Sequence, residues 1–308
     1  MTASAPIGPV FIVGNARSGS TLLRHMLNRS PAIAIAPETH FLRRVRRLRL
    51  SGQLAGSPTA ADAARVVAAL YAEDAQSRTG YWPWLRKHVP QADFVARFER
   101  TDRSLAALFR LMIETFAARR PDPGAVRLIG EKSPEHVTDV ERLAAWYPGS
   151  AFIHTLRDPR AIYASELRRR REGRWGVKQR RLPVPELVVD LALAPMQLLH
   201  TAAAWRRADR LDARYRLALG PRYQLVRYED LVREPASTLE RICEGLGVAY
   251  DPAMLEVDTI GSSFADARHA GTGLDPAAID RWRQHVGSVA QAWFRLTLGR
   301  EMRQRGYR

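Results

Sequence analysis

Residues 9–27, "PVFIVGNARSGSTLLRHML", constrain the fold more than any other stretch of the chain. "PVFIVGN" is a short, β-branched apolar run closed by Gly14 and Asn15, the pattern of a buried strand. "STLLRHMLNRS" then places apolar residues at 22, 23, 26 and 27, a helical stripe. Between them, Gly14, Gly19 and Thr21 match the spacing of the phosphate-cradling pattern G-x-x-x-x-G-K-[ST], which requires this strand–loop–helix context. The lysine position holds Ser20, and a basic residue stands three positions earlier as Arg17. Backbone N–H groups of such a turn and of the helix start form an anion nest. Ser18, Ser20 and Thr21 can add hydroxyl donors, and Arg17 a planar guanidinium suited to phosphate oxygens. Without the lysine, and with no evident strand-terminal Asp for Mg²⁺, hydrolysis of a triphosphate is disfavoured; a ligand with one 5′-phosphate-type anion needs less.

The same rhythm returns later. "AIAIAPETHFL" reads as a second strand running into a helix at 39–50, "AVRLIGEKSPEHV" as a strand, a loop and a helix start. "SAFIHTLRDPRAIYAS" and "RYQLVRYEDLVREPASTLERICEGLG" repeat the plan, whereas 51–124 is mostly helical in pattern. Alternating strands and helices predict an α/β fold, a P-loop-like parallel sheet flanked by helices. No internal repeat or low-complexity linker interrupts 1–308, so a single domain is expected, with 43–124 and 170–200 as helical insertions. Ligands of such sheets bind beyond the strand C-termini, where each segment carries its polar cluster.

Composition narrows the partners. No run of about 18 apolar residues appears, so a spanning helix is not expected. The N-terminus lacks a secretory pattern, and Cys243 is the only cysteine, excluding an internal disulfide and a cysteine-based zinc cluster; a reducing, cytoplasmic location fits. The net charge of +16 implies attraction to anions, with basic runs at 43–49, 168–174 and 178–181. A basic nucleic-acid-binding protein would explain the charge, but the runs lack interleaved aromatics or a named motif, so nucleic acid is not the expected partner. A kinase or NTPase of the P-loop type is the other alternative, and the absent lysine argues against it.

In "HTLRDPRAIYAS", Arg157 ends a strand, and Ser165 and Arg169 follow on one helix, where all three can reach a second phosphate. "ARSGSTLL", "LRDPRAIYAS" and "VRYEDLVREP", in this order, resemble the PAPS-dependent sulfotransferase family over roughly residues 9–45 and 125–300. The resemblance implies a 5′-phosphosulfate loop at Arg17, Ser18, Gly19, Ser20, Thr21 and Leu22, and a 3′-phosphate site at Arg157, Ser165 and Arg169. It also implies that Tyr228 contacts the adenosine end of the co-substrate. "APETHF" and "GEKSP" are similar to the branch that includes tyrosylprotein, heparan and many bacterial sulfotransferases. They would make Glu38 the base and set Lys132 beside the transferring sulfonate. The late loop "GSSFADARHAG" resembles the one that closes over the cofactor, with Ser262 or Ser263 near the bridging oxygen and Arg268 at the 3′-phosphate.

The chemistry agrees with these roles. Sulfuryl transfer needs a base for the acceptor proton, which Glu38 could supply. It also needs cations for the charge on the leaving phosphate, which Arg17, Lys132 and loop N–H groups could supply without a metal. The cytosolic small-molecule members carry lysine where Arg17 stands and a histidine base, which leaves His40 and His136 as alternative bases here. The expected acceptor is a small molecule, glycan or lipid. "GYWPWLRKH" at 80–88 and the apolar stretch 183–200 could line its pocket, pack in the core or make a dimer contact, and the latter could also touch a membrane peripherally. Trp282 in "DRWRQHV" is expected to be packing.

Overall fold

The computed structural model describes residues 8–72, 80–171, 186–257 and 274–308. Its centre is a five-stranded parallel sheet in the order β2–β3–β1–β4–β5. The strands are β1 (Val10–Gly14), β2 (Ile33–Ala36), β3 (Leu128–Lys132), β4 (Ala151–Leu156) and β5 (Tyr223–Arg227). Three of these, β1, β2 and β4, are buried at every position, as strands covered on both faces must be.

Alternation along β1 sorts the core into two layers. Phe11 and Val13 face one cluster, which is filled by α2 (Phe41–Arg47), α3 (Ala60–Tyr71), α4 (Tyr81–His88), α5 (Gln91–Glu99), α6 (Leu105–Ala117) and α7 (Val140–Trp146). Val10 and Ile12 face the other, built from α1 (Ser20–Leu27) and α11 (Pro235–Leu246). Phe11 stacks between Phe109, Tyr147 and Phe152, with ring centroids 5.5–5.9 Å apart, so the first strand is pinned by aromatic area on one side.

A third apolar cluster joins α8 (Pro159–Arg171) to α9 (Glu186–Leu219) and α12 (Ser288–Gln304) beyond the β4 end. Pro159 opens α8 at the position where a missing N–H costs nothing. The last strand leads directly into α10 (Tyr228–Arg233). The expected fold class is therefore observed, and the helical reading of 51–124 corresponds to α3–α6. In "GEKSPEHV" the strand is followed by a 3₁₀ turn, Pro134–Thr138, before α7.

Among the described residues no helix is long and apolar enough to cross a membrane. Part of the basic 168–174 run and all of 178–181 lie outside the described residues, as do Ser262, Ser263 and Arg268.

Candidate active site

The loop after β1 takes a shape that ordinary backbone angles do not permit. Gly14 has φ +140°, and a Cβ there would sit 2.3 Å from the carbonyl oxygen of Thr155 on β4. Gly19 has φ +92°, and its Cβ would sit 2.5 Å from the ring of Tyr228. The two glycines thus let the turn press against β4 and α10. Between them, Arg17 itself adopts φ +67°, an uncommon region for a side-chain-bearing residue.

Ser18 is fully buried, and its hydroxyl donates to the Asn15 carbonyl at 2.6 Å and lies 2.6 Å from Thr155 Oγ1. It therefore shapes the loop from inside, and its hydroxyl is not turned outward as a ligand donor. Ser20 opens α1 and is buried. Leu22 packs with Tyr228, Val232 and Ile279.

Arginines gather on the β4 side. Arg17 Nε donates to Ser165 Oγ on α8 at 2.7 Å. Arg157 Nη1 donates to the Arg17 carbonyl at 3.3 Å, and its guanidinium lies 4.0 Å over the Tyr228 ring. The indole N–H of Trp205 on α9 holds the Arg157 carbonyl at 2.9 Å. Burial, then the positive charges of Arg169 and Arg157, push the Arg17 pKa below its ordinary value, opposed by Glu166 and Glu38. Arg157 Nε is buried without a hydrogen-bond partner. Crowded guanidinium groups and an orphaned buried N–H together suit an anion. Arg17, Ser165, Arg157, Arg169 and Tyr228 are thus brought together around the loop.

On the β3 side, Lys132 ends its strand with the side chain buried. Its Nζ donates to Thr21 Oγ1 at 3.0 Å and to Glu38 Oε1 at 2.5 Å, tying the start of α1 to the β2–α2 loop. Burial disfavours the Glu38 carboxylate, but the charge and hydrogen bond of Lys132, with His40 and Arg169, outweigh it and hold the carboxyl below its ordinary value. For Lys132, burial wins and lowers the ammonium pKa against the pull of Glu38. Glu38 is the more open of the two, with its side chain 38% exposed, so it can face an incoming substrate.

The loop carrying Glu38 is fixed by a residue that sequence reasoning passed over. Glu131, fully buried, accepts from Thr39 N at 3.0 Å, from Thr39 Oγ1 at 2.9 Å and from Ser133 Oγ. Its second oxygen lies 3.3 Å from His136 Nδ1. One carboxylate thus grips the neighbours of both Glu38 and Lys132. Its only sequence signal was its place beside the lysine in "GEKSP". His136 is fully buried between Glu131 and the Phe109 ring, which removes it as a base for an incoming acceptor. His40, in a left-handed conformation at the start of α2, has Nε2 3.5 Å from Glu38 and Nδ1 3.1 Å from Glu135.

Two segments with several possible roles can now be placed. The 43–49 run stays mostly at the surface but is partly paired: Arg43 pairs with Glu135, and Arg46 with Asp139, and only Arg44 is buried. Arg44 lies over Trp82 and donates to the Leu70 carbonyl. In "GYWPW", Tyr81 and Trp82 are core residues, and Trp82 Nε1 donates to the Thr39 carbonyl, bracing the Glu38 loop from behind. Trp282 is packing, as expected, buried beneath the Arg160 guanidinium.

The arrangement is a glycine turn suited to an anion, flanked by a carboxylate–lysine pair on one side and an arginine–tyrosine cluster on the other. The model of the sulfotransferase family matches residues 9–252, and the chain belongs to that family. It is 27% identical over 299 residues to nodulation protein NoeE of Sinorhizobium fredii, covering 90% of this chain and 60% of that protein. The chain therefore spans about three-fifths of the length of this curated relative. The fold is shared with the sulfotransferase domain of the Synechococcus PCC 7002 olefin synthase, at TM-score 0.54 and 22% identity, covering 95% of this chain and 96% of that one. It is shared also with the sulfotransferase domain from the curacin biosynthetic pathway, at TM-score 0.55 and 20% identity, covering 99% of each chain.

Proposed function

We propose that the chain transfers a sulfonate group from PAPS to a hydroxyl of a carbohydrate, lipid or other small molecule, giving PAP and a sulfate ester. The observation that carries this reading is Lys132 Nζ, which joins the anion loop at Thr21 to the candidate base Glu38. In this reading a cation shared by these two groups would sit between the leaving phosphate and the attacking hydroxyl.

Arg17, the loop N–H groups and Thr21 would hold the 5′ side, and Arg157, Ser165 and Arg169 the 3′-phosphate. Tyr228, clamped between Gly19 and Arg157, would face the adenosine. Glu38 takes the acceptor hydroxyl proton as the acceptor oxygen bonds to sulfur. The sulfur–oxygen bond to the 5′-phosphate breaks, its electron pair stays on that phosphate, and Lys132 and Arg17 neutralise the charge. Because Glu38 is held low, it is ionised and ready at neutral pH but a weak base. His40, between Glu38 and Glu135, is placed to carry the proton onward. No step calls on a metal. The whole chain acts as one unit in this reading, with 43–124 and 170–200 on the acceptor side.

The test is a thermal-shift titration with PAP, followed by transfer from ³⁵S-labelled PAPS to a panel of glycolipid, carbohydrate, phenol and peptide acceptors. PAP should stabilise the protein without Mg²⁺. A protein stabilised only by Mg²⁺–ATP would be a P-loop kinase or NTPase instead.

A further inference from the structure

All five large hydrophobic side chains that stand exposed among the described residues belong to α9 or α12. Met196 and Leu199 are 66% and 60% exposed on α9, and Val289 and Leu296 are 83% and 87% exposed on α12; Leu217 is the fifth. Spacings of three and four residues put Met196, Leu199, Ala203, Arg207 and Arg210 on one face of α9. The same spacing puts Val289, Trp293, Leu296, Arg300 and Arg303 on one face of α12. In each helix the outer stripe is apolar first and arginine second.

The two helices run in the same direction. Arg206 on α9 bonds Glu301 at 3.2 Å and the Thr297 carbonyl, and further along Arg305 bonds Asp209 at 2.6 Å and Asp212 at 2.7 Å. The apolar halves therefore lie side by side, and so do the arginine halves. Those same bonds turn the carboxylates Asp209, Asp212 and Glu301 into the seam between the helices. No acidic residue remains on either stripe.

From this geometry we infer that the α9–α12 face is a docking surface for an anionic lipid bilayer, with the apolar half inserted and the four arginines on headgroup phosphates. Exposed leucine, valine and methionine beside unopposed arginines is the composition of an interfacial membrane face. A second copy of the chain would bring the same arginines and no carboxylate to meet them. The location is also apt: Gln197, next to Met196, bonds Glu166, the neighbour of the Arg17 partner Ser165. A bilayer on this face would lie close to the reacting loop. The inference does not depend on the sulfonate chemistry.

Cosedimentation of the full chain with vesicles of phosphatidylcholine alone, and of phosphatidylcholine with phosphatidylglycerol, tests it. Binding is expected to the anionic vesicles and to weaken at high salt. Each arginine contributes about fivefold, so R300Q/R303Q should bind roughly 25-fold more weakly. V289S/L296S should also bind more weakly, while both variants keep the wild-type thermal midpoint and PAP-induced shift. Absence of binding to anionic vesicles overturns the proposal, as does binding that neither double variant weakens. A dimer seen by analytical ultracentrifugation and lost in V289S/L296S would assign the face to a second copy and equally overturn it. Vesicle binding without any PAP-induced shift would support the surface and sink the co-substrate reading alone.

Discussion

Replacing Glu131 by alanine tests whether Glu38, the proposed base, is held in place or merely present. The carboxylate accepts a backbone N–H and two hydroxyls in a fully buried pocket and faces a buried imidazole. The hydroxyls of Thr39 and Ser133 can turn to seek other acceptors, but the Thr39 N–H cannot. Leaving one such donor unpaired costs about 1–3 kcal/mol, and each lost charge-assisted bond about 1.5–3 kcal/mol. Because these losses share one site they do not add in full, and about 3–5 kcal/mol of stability should go. Thr39 and Ser133 adjoin Glu38 and Lys132, so relaxation of order 1 Å should lower kcat about 100-fold. Urea unfolding measures the first effect and steady-state sulfonate transfer the second, at a temperature where the variant is folded. The arginine side does not touch Glu131, so PAP affinity should stay within about threefold. Glu131→Gln keeps an oxygen toward Thr39 and should fall between the two. If Glu131→Ala unfolds within 1 kcal/mol of the parent, or keeps its kcat, then Glu131 does not position the site.

Glu38→Gln should retain PAP binding while turnover falls by at least about 100-fold, the usual contribution of a general base; full activity would remove Glu38 from that role. Arg157→Ala deletes charge-assisted contacts and the stacking partner of Tyr228, so PAP affinity measured by calorimetry should drop about 10- to 100-fold. The pH dependence of kcat/KM carries two signatures. The acid limb should lie below the ordinary carboxylate range, because Lys132 keeps Glu38 ionised to lower pH, and the alkaline limb below the ordinary lysine value, because burial lets Lys132 deprotonate sooner. An acid limb that persists unchanged in Glu38→Gln would assign it to another group.

Local sequence was enough for the sheet because β1, β2 and β4 are short apolar runs closed by polar or turn residues, and β3 and β5 repeat the strand-then-helix rhythm beside them. The turn was legible for the same reason: its glycines are required by angles and close approaches that act within a few residues. What local reading could not reach were side-chain links across distant segments. Lys132 meets Thr21 and Glu38, and Glu131 meets Thr39, only once β3 has entered the sheet. Arg43 and Arg46 likewise read as unpaired surface charges until Glu135 and Asp139 arrive from after β3. Ser18 looked like a ligand donor because its hydroxyl partner, Thr155, lies on another strand.

The strand order has a consequence for how the protein acquires its site. Even the two neighbouring strands closest in sequence, β4 and β5, meet at Phe152 and Tyr223, with α8 and α9 between them. Every pairing in the sheet is a long loop closure, which places folding among the slower topologies. The anion turn at the end of β1 depends on Thr155 and Tyr228, and its lysine comes from β3. If the chain binds PAPS as proposed, it cannot do so while emerging until Tyr228 has been made. Binding of PAPS would then be a late event of synthesis and would report that the sheet has closed.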